Sequence, residues 1–204
     1  MLNALVSTID RALRDRQGIF EYTDCPHCMF RLHVASIARD IALVDGTQLS
    51  AGSRLINLHL WNEHIPPFPS QGPTLRWARG ICDGLEISLR ELAAFVASHP
   101  AFEDIVAIGG NLLFVSTRQA DLVTHLAARY GFVRSVDSVP NRSMSQRLHL
   151  LGENILISMI MMSQNPAALR RDFLRRDNKP VYLHRGELMR RFGTRGDTRR
   201  LAKP

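Results

Sequence analysis

The stretch RLINLHLW, at residues 54–61, decides the fold of this chain. It is rich in large apolar residues, is long enough to be the central strand of a sheet, and alternates polar with apolar side chains. Along such a strand Asn57, His59 and Trp61 lie on one face, and the leucines between them lie on the other. The sequence therefore predicts a sheet with one apolar face and one face that is exposed to solvent or contacts a ligand.

Shorter patterns on either side of this stretch predict its neighbours. The segment Phe30–Ala35 alternates in the same way and predicts another strand, and Asp45-Gly46 is typical of a tight turn between the two strands. Farther along the chain, Ala120–Tyr130 carries apolar residues at helical spacing and is followed by Gly131, a residue type that commonly ends helices. These segments predict strands joined by a turn and, later, a helix.

Two helices and a hairpin are predicted between these segments. Thr74 begins the first helix as its N-cap. Ser88 is a second N-cap, and Glu91 three residues later completes a capping box before a separate helix, Leu89–Ser98. Two apolar runs bracket Gly109-Gly110-Asn111, which predicts a β-hairpin with a glycine-containing turn.

Strands and helices are grouped along the chain more than they alternate. This order favours an α+β fold, with a mixed, mostly antiparallel sheet and helices packed on it, over a doubly wound parallel sheet. Asn165-Pro166 begins a basic helical stretch, so we divide the chain into a body over residues 1–164 and a basic C-terminal helical segment over residues 165–204. That segment either packs on the body or trails from it.

Positive charge is concentrated near the C-terminal end. The net charge is +7, and residues 170–204 hold 12 basic and 4 acidic residues, so the rest of the chain is nearly neutral. Arginine pairs well with phosphate and carboxylate, and such a segment attracts an anionic membrane surface or an acidic protein, unless it is only a solvated helix and tail. Nucleic acid is not expected, because the segment has few aromatic residues and no recognised binding motif. The residues predicted to bind anions are Arg170, Arg171, Arg175, Arg176, Arg185, Arg190 and Arg191.

Side chains that can take part in catalysis or bind a ligand cluster at the end of the central strand. His59 can act as a general base, and Glu63 can act as an acid or orient the imidazole, so this pair is the candidate catalytic pair. The ends of central strands are common places for binding sites, because loops converge there. Alternatively, these residues have only a structural role, in packing and in the turn that follows the strand. The candidate ligand-binding residues are Asn57, Trp61, Asn62 and His64.

The three cysteines offer another site. Cys25-Pro-His-Cys28 resembles the redox centre of thioredoxin-like oxidoreductases, and the same pair with His27 or His33 could ligate zinc. Against both, the segment after Cys28 looks like a strand rather than a long helix, and no second ligand pair of similar spacing is present. The third interpretation is two thiols in a turn between strands.

The N-terminal segment and the absent motifs bear on location and cofactors. Met1–Gln17 is interrupted by charged residues and lacks the apolar core of a signal peptide, so we expect a cytoplasmic protein, peripheral to the inner membrane face if its basic segment binds there. The sequence has no Walker loop, no G-x-G-x-x-G loop and no H-E-x-x-H motif, so no cofactor or metal is assigned.

A set of short motifs resembles a known family. Asp45-Gly46, Gly52, LHLWNE at residues 58–63 and SLREL at residues 88–92 together resemble the YkoP-like domain, a small bacterial family found alone or beside polysaccharide deacetylase-type domains. Residues 181–193 are similar to its closing element, a short strand that runs into a helix. The resemblance implies a cytoplasmic bacterial domain of unassigned activity, linked to envelope polysaccharide or lipid metabolism. It supplies no catalytic residues.

Overall fold

The computed structural model describes residues 18–67, 69, 71, 74–112, 120–136 and 179–193. The predicted N-terminal helix over Met1–Arg16 and the predicted basic helix after Asn165-Pro166 lie outside these ranges. The described elements, in chain order, are β1 (Phe30–Ser36), β2 (Ile41–Ala42), β3 (Gln48–Leu49), β4 (Arg54–Leu60), α1 (Leu75–Ser98), β5 (Ile105–Leu112), α2 (Ala120–Arg129), β6 (Val133–Arg134), β7 (Lys179–His184) and α3 (Arg185–Phe192), with 3₁₀ turns at Asn62–His64 and Pro100–Phe102.

One five-stranded sheet organises the fold, in the order β1-β4-β5-β7-β6. β4 and β5 run parallel, and α1 connects them, because parallel neighbours need a long crossover. The other neighbouring pairs are antiparallel. The predicted α+β class with a mixed, mostly antiparallel sheet is therefore confirmed.

The main core lies on one face of this sheet. Leu32, Ile56, Ile108 and Leu183 come from four adjacent strands and are completely buried. α1 and α3 cover them through apolar residues that belong to the same cluster, among them Leu89, Leu92, Val96, Leu188 and Phe192. Burial of this apolar surface is the main source of stability of the fold.

The opposite face is covered over part of its area by the hairpin of β2 and β3. Leu43 and Leu49 pack with Leu55 and Ala107 in a second, smaller apolar cluster. The hairpin also reaches the far edge of the sheet, where Leu43 forms an isolated bridge with Ser135 beside β6. The predicted turn at Asp45-Gly46 lies at its tip, where Gly46 adopts a φ of 88°. The residues of this face toward the end of β4 are left polar.

The prediction of a capping box at Ser88 is wrong, because α1 is one continuous helix through this residue. Its N-cap is Thr74, as predicted, whose hydroxyl accepts from the Trp77 N–H at 3.2 Å. Ser88 lies buried in the helix interior. Its hydroxyl donates to the Gly84 carbonyl at 2.6 Å and accepts from the Met29 N–H at 2.7 Å. Ser88 therefore joins the helix to the residue that precedes β1. A serine serves this contact as well as it serves an N-cap, so the sequence pattern alone does not distinguish the two roles.

The predicted hairpin turn at Gly109-Gly110-Asn111 is also wrong. β5 runs without a break through these residues, and each of them pairs with β7. Gly109 also pairs with Asn57 of β4 on its other side. The glycine marks a close approach of neighbouring side chains rather than a reversal of the chain.

Candidate functional site

The pairing of β1 with β4 brings four polar side chains to one face of the sheet. His33 lies opposite Asn57, and Arg31 lies opposite His59. Side chains of directly opposed residues project to the same side. The rings of His33 and His59 contact each other edge to face, with centroids 6.0 Å apart. β4 therefore has the polar face that the alternation of its sequence predicts.

His59 is held in its neutral form. Burial, and to a smaller extent the neighbouring His33, lowers the pKa of His59 from 6.5 to about 4. A neutral imidazole carries one donor and one acceptor nitrogen. At neutral pH, His59 therefore presents a hydrogen-bonding group without charge.

Asn57 and Tyr182 approach each other across Gly109. A Cβ atom at Gly109 would lie 2.8 Å from Asn57 Oδ1 and 3.5 Å from Tyr182 Cε1, so both side chains lie over this glycine. Burial raises the pKa of Tyr182, which keeps its hydroxyl protonated. We call His33, Asn57, His59 and Tyr182 the polar row. Sequence reasoning missed Tyr182, because only the pairing of β7 with β5 brings it to this position.

Glu63 is held by Arg31. The Arg31 side chain is buried, forms ion pairs with Glu21 at 3.0 Å and Glu63 at 3.3 Å, and lies 4.7 Å above the Trp61 ring. Within the described ranges no hydrogen bond or ion pair joins Glu63 to His59. Arg31 connects the two, since it is the cross-strand neighbour of His59 and the ion-pair partner of Glu63. The catalytic role of this pair stays a prediction.

The residues after β4 form a compact turn. The rings of Trp61 and His64 stack with centroids 3.8 Å apart, and His64 Nδ1 lies 2.7 Å from the Cys28 carbonyl oxygen. Trp61 is buried, and Asn62 lies in the 3₁₀ turn between them. Trp61 and His64 are thus engaged by the protein itself, and their proposed contact with a ligand remains untested, like that of Asn57 and Asn62.

The two neighbouring cysteines are free thiols in different surroundings. Cys28 is completely buried, and its thiol donates to the Tyr22 hydroxyl oxygen at 2.9 Å. The Tyr22 hydroxyl donates in turn to the Ser88 carbonyl at 2.8 Å, and burial raises the pKa of Tyr22. Cys25 is half-buried, and its carbonyl accepts from the Cys28 N–H, which closes a turn. In the described part of the chain no group of three or more His, Cys, Asp or Glu residues is placed to hold a metal ion. The thiol or zinc alternative stays a prediction.

Two of the predicted anion-binding residues in α3 contact the single acidic residue of this helix. Arg190 forms an ion pair with Glu187 at 2.6 Å, and Arg191 pairs with the same carboxylate. These two hydrogen-bonding arginines lower the pKa of Glu187 to about 2. Arg185 Nε is buried without a hydrogen-bond acceptor among the described residues. Arg170, Arg171, Arg175 and Arg176 lie outside those residues, so anion binding by this set remains a prediction.

The segments beyond residue 164 also contribute to the sheet. β7 lies between β5 and β6, and α3 packs on the main core. The division of the chain at residues 164 and 165 stays a prediction. Among the described helices, none is long and apolar enough to cross a membrane.

These features define an α+β domain whose mixed sheet is apolar on one face and carries a row of polar side chains on the other. The model of the YkoP domain family matches residues 17–192, so the chain belongs to the YkoP domain family. The resemblance drawn from the sequence motifs is confirmed. No curated protein and no solved structure matches the chain. Family membership identifies the domain and names no reaction or ligand.

Proposed function

We propose that this protein is a ligand-binding domain and that the polar row is its site. The observation that carries the proposal is the neutral His59, half-buried beside His33 and Asn57 on a face that the β2–β3 hairpin covers only in part. Burial of polar groups costs free energy unless they find hydrogen-bond partners. A row of such groups at the end of a central strand is suited to a ligand that supplies those partners.

The chemistry of the row favours an uncharged, hydrogen-bonding ligand. The Asn57 amide and the neutral His59 ring each offer a donor and an acceptor, and the Tyr182 hydroxyl stays protonated. Among the residues that the structure describes, the buried cation nearby is Arg31, and it already faces two carboxylates. Hydroxyl or amide groups of a ligand match this set better than an anion does.

The wider role that we propose is that of a bacterial accessory domain linked to envelope polysaccharide or lipid metabolism. Its support is the family resemblance, together with the excess of arginine in residues 170–204. We place the protein in the cytoplasm, peripheral to an anionic membrane surface or an acidic protein. Flotation with acidic and with neutral vesicles, repeated at high salt, tests this part. Equal recovery on both vesicles contradicts it, because exposed positive charge attracts acidic vesicles and not neutral ones. High salt is expected to weaken that attraction by screening it.

Ligand-observed NMR with a panel of small saccharides and amides tests the site itself. We expect compounds that bind the wild type to lose binding in His59→Leu and to keep it in His125→Leu, a matched change at an exposed histidine of α2. A panel that shows no binding to the wild type, or equal binding to His59→Leu, contradicts the proposal.

The same site supports a second candidate, a small transferase or hydrolase that uses His59 and Glu63. Its specific support is Arg31, which neighbours the imidazole and holds the carboxylate. We expect turnover of a bound compound to be lost in His59→Asn and in Glu63→Gln, while Glu63→Gln still binds it. Turnover that persists in both variants excludes this candidate and leaves ligand binding in place.

A further inference from the structure

We propose that Cys25 and Cys28 form a reversible dithiol–disulfide site, whose oxidant is a small-molecule disulfide such as glutathione disulfide. Both residues are free thiols in the structure. The site is separate from the polar row and does not rest on the proposed ligand binding. Its support is the turn that holds the two residues, the position of both thiols near one tyrosine, and the difference in their access to solvent.

The turn brings the backbones of the two cysteines within the range of a disulfide. The Cys28 N–H donates to the Cys25 carbonyl at 3.0 Å, which closes a β-turn over residues 25–28. In a β-turn the first and last Cα atoms lie less than about 7 Å apart. Disulfides join residues whose Cα atoms are about 4.4–6.8 Å apart. Pro26 occupies the second position of the turn, which the fixed φ of proline suits.

Both thiols lie near the hydroxyl of Tyr22. The Cys28 thiol donates to this hydroxyl at 2.9 Å, and Cys25 packs against the apolar cluster that contains Tyr22 and Cys28. Burial raises the pKa of Tyr22 most, and both cysteines raise it further, Cys28 more than Cys25. A bond between the two sulfurs therefore requires rotation of side chains rather than movement of the backbone.

The two thiols differ in their access to solvent. Cys25 is half-buried and is followed by the exposed residues Pro26 and His27, whereas Cys28 is completely buried. A reagent from solvent therefore reacts at Cys25 first. The Cys28 thiol is shielded from that reagent but lies next to the Cys25 side of the turn. This arrangement makes Cys25 the attacking thiol and Cys28 the resolving thiol.

Oxidation of the pair proceeds by two thiol–disulfide exchanges. The Cys25 thiolate attacks one sulfur of glutathione disulfide, forms an S–S bond to it and releases the other half as a thiolate. The Cys28 thiolate then attacks the Cys25 sulfur, and the second glutathione thiolate leaves. The two released thiolates take up the two protons that the cysteines lose. The cysteines are thus oxidised, glutathione disulfide is reduced to two glutathione molecules, and excess glutathione reverses both steps.

The surrounding fold holds the turn in place during this exchange. The Cys25 N–H donates to the Thr23 hydroxyl at 3.2 Å, and the Cys28 carbonyl oxygen lies 2.7 Å from His64 Nδ1. The disulfide removes the hydrogen bond from the Cys28 thiol to Tyr22, but thiols are weak donors. Tyr22 keeps its own hydrogen bond to the Ser88 carbonyl. The folded protein therefore accommodates both redox states.

Oxidation of the full chain under native conditions with glutathione disulfide tests the proposal. Remaining free thiols are blocked with N-ethylmaleimide, and tryptic peptides are identified by mass spectrometry. Cys25 and Cys28 lie together in the peptide of residues 17–31, and Cys82 lies in that of residues 80–90. We expect the first peptide to lose two hydrogens through an internal disulfide, at least tenfold faster than Cys82 acquires glutathione. Dithiothreitol is expected to restore both thiols.

Three serine variants assign the role of each thiol. Cys28→Ser is expected to stop at the mixed disulfide of Cys25 with glutathione. Cys25→Ser is expected to slow oxidation at Cys28 at least tenfold, because Cys28 is buried. Cys82→Ser, the matched change at another half-buried thiol, is expected to behave as the wild type. If Cys28→Ser does not fold, the wild-type peptide and Cys25→Ser still decide the result.

Three results overturn the proposal. A glutathione adduct that persists on Cys25 in the wild type shows that Cys28 does not reach it. Oxidation that occurs only in urea shows that the folded turn keeps the thiols apart. Oxidation that occurs only after a chelator is added shows that the thiols hold a metal instead. Binding at the polar row is tested separately by His59→Leu, so failure of one proposal leaves the other in place.

Discussion

Asn57 Oδ1 lies 2.8 Å from the position that a Cβ atom on Gly109 would occupy, so the side chain of one strand rests on the backbone of the next. The absence of a side chain at Gly109 allows this contact, and Tyr182 closes over the same glycine from the other side. The contact marks the last pairing of β4 with β5. It therefore places Asn57 of the polar row at the end of the pairing between these two strands.

Gly109→Ala is expected to destabilise the protein by about 1–3 kcal/mol, as overpacking of a close contact does. Urea unfolding measures this change. Gly110→Ala is the matched control, because its Cβ would meet its nearest atom, Val181 Cγ2, only at 3.9 Å. The additional change Asn57→Ala is expected to recover most of the loss. A Gly109→Ala variant as stable as the wild type would show that Asn57 does not rest on this glycine.

The neutral His59 predicts a loss of stability in mild acid. Its pKa is about 4 in the folded protein and about 6.5 in the unfolded chain, so the unfolded chain binds more protons between these values. The contribution of His59 is complete above pH 6.5 and falls as the pH drops toward 4, by up to about 3 kcal/mol. Urea unfolding at pH 5 and pH 7 is expected to show a smaller difference in His59→Asn than in the wild type. Equal differences in the two proteins contradict this assignment.

The folded protein is expected to lose stability when the buried Arg31 has no carboxylate partner. The residue is only 5% exposed, whereas the side chains of Glu21 and Glu63 are about half exposed. Glu63→Gln alone is expected to cost less than about 1 kcal/mol, because Glu21 remains. The double variant Glu21→Gln/Glu63→Gln is expected to cost at least about 1 kcal/mol more than the sum of the single variants, since it leaves a buried cation without its carboxylates.

A double-mutant cycle by urea unfolding measures this coupling. Glu86→Gln, which breaks an exposed ion pair with Arg90 on α1, is the control and is expected to change stability by less than about 0.5 kcal/mol. Additive effects of the two substitutions around Arg31 would mean that water, rather than the second carboxylate, compensates its charge.

Ser88→Ala is expected to cost about 1–3 kcal/mol, because it leaves the buried Met29 N–H without its acceptor. Ser98→Ala near the end of the same helix removes an exposed hydroxyl that also donates to a backbone carbonyl, and it is expected to cost less than about 0.5 kcal/mol. Thermal unfolding followed by circular dichroism compares the two. Equal small losses would show that the Met29 N–H finds another partner.

Much of the local structure could be predicted from the sequence. β1, β4 and the helix at Ala120–Arg129 follow from the periodicity of their apolar residues, and Thr74 caps α1 as its residue type indicates. The errors at Ser88 and at Gly109 share one cause. Each residue has the type that local rules assign to a cap or a turn, and each instead makes a contact with a distant segment.

By itself, the sequence determined which residues of β4 lie on the polar face, because alternation along a strand depends only on the neighbouring residues. It also determined the α+β class and the family to which the chain belongs. The tertiary structure alone decided that Tyr182 lies beside Asn57 and that Glu63 pairs with Arg31. It alone decided where the pairing of β4 with β5 ends. The order and register of strands arise from contacts between residues far apart in the chain, and no local pattern encodes them.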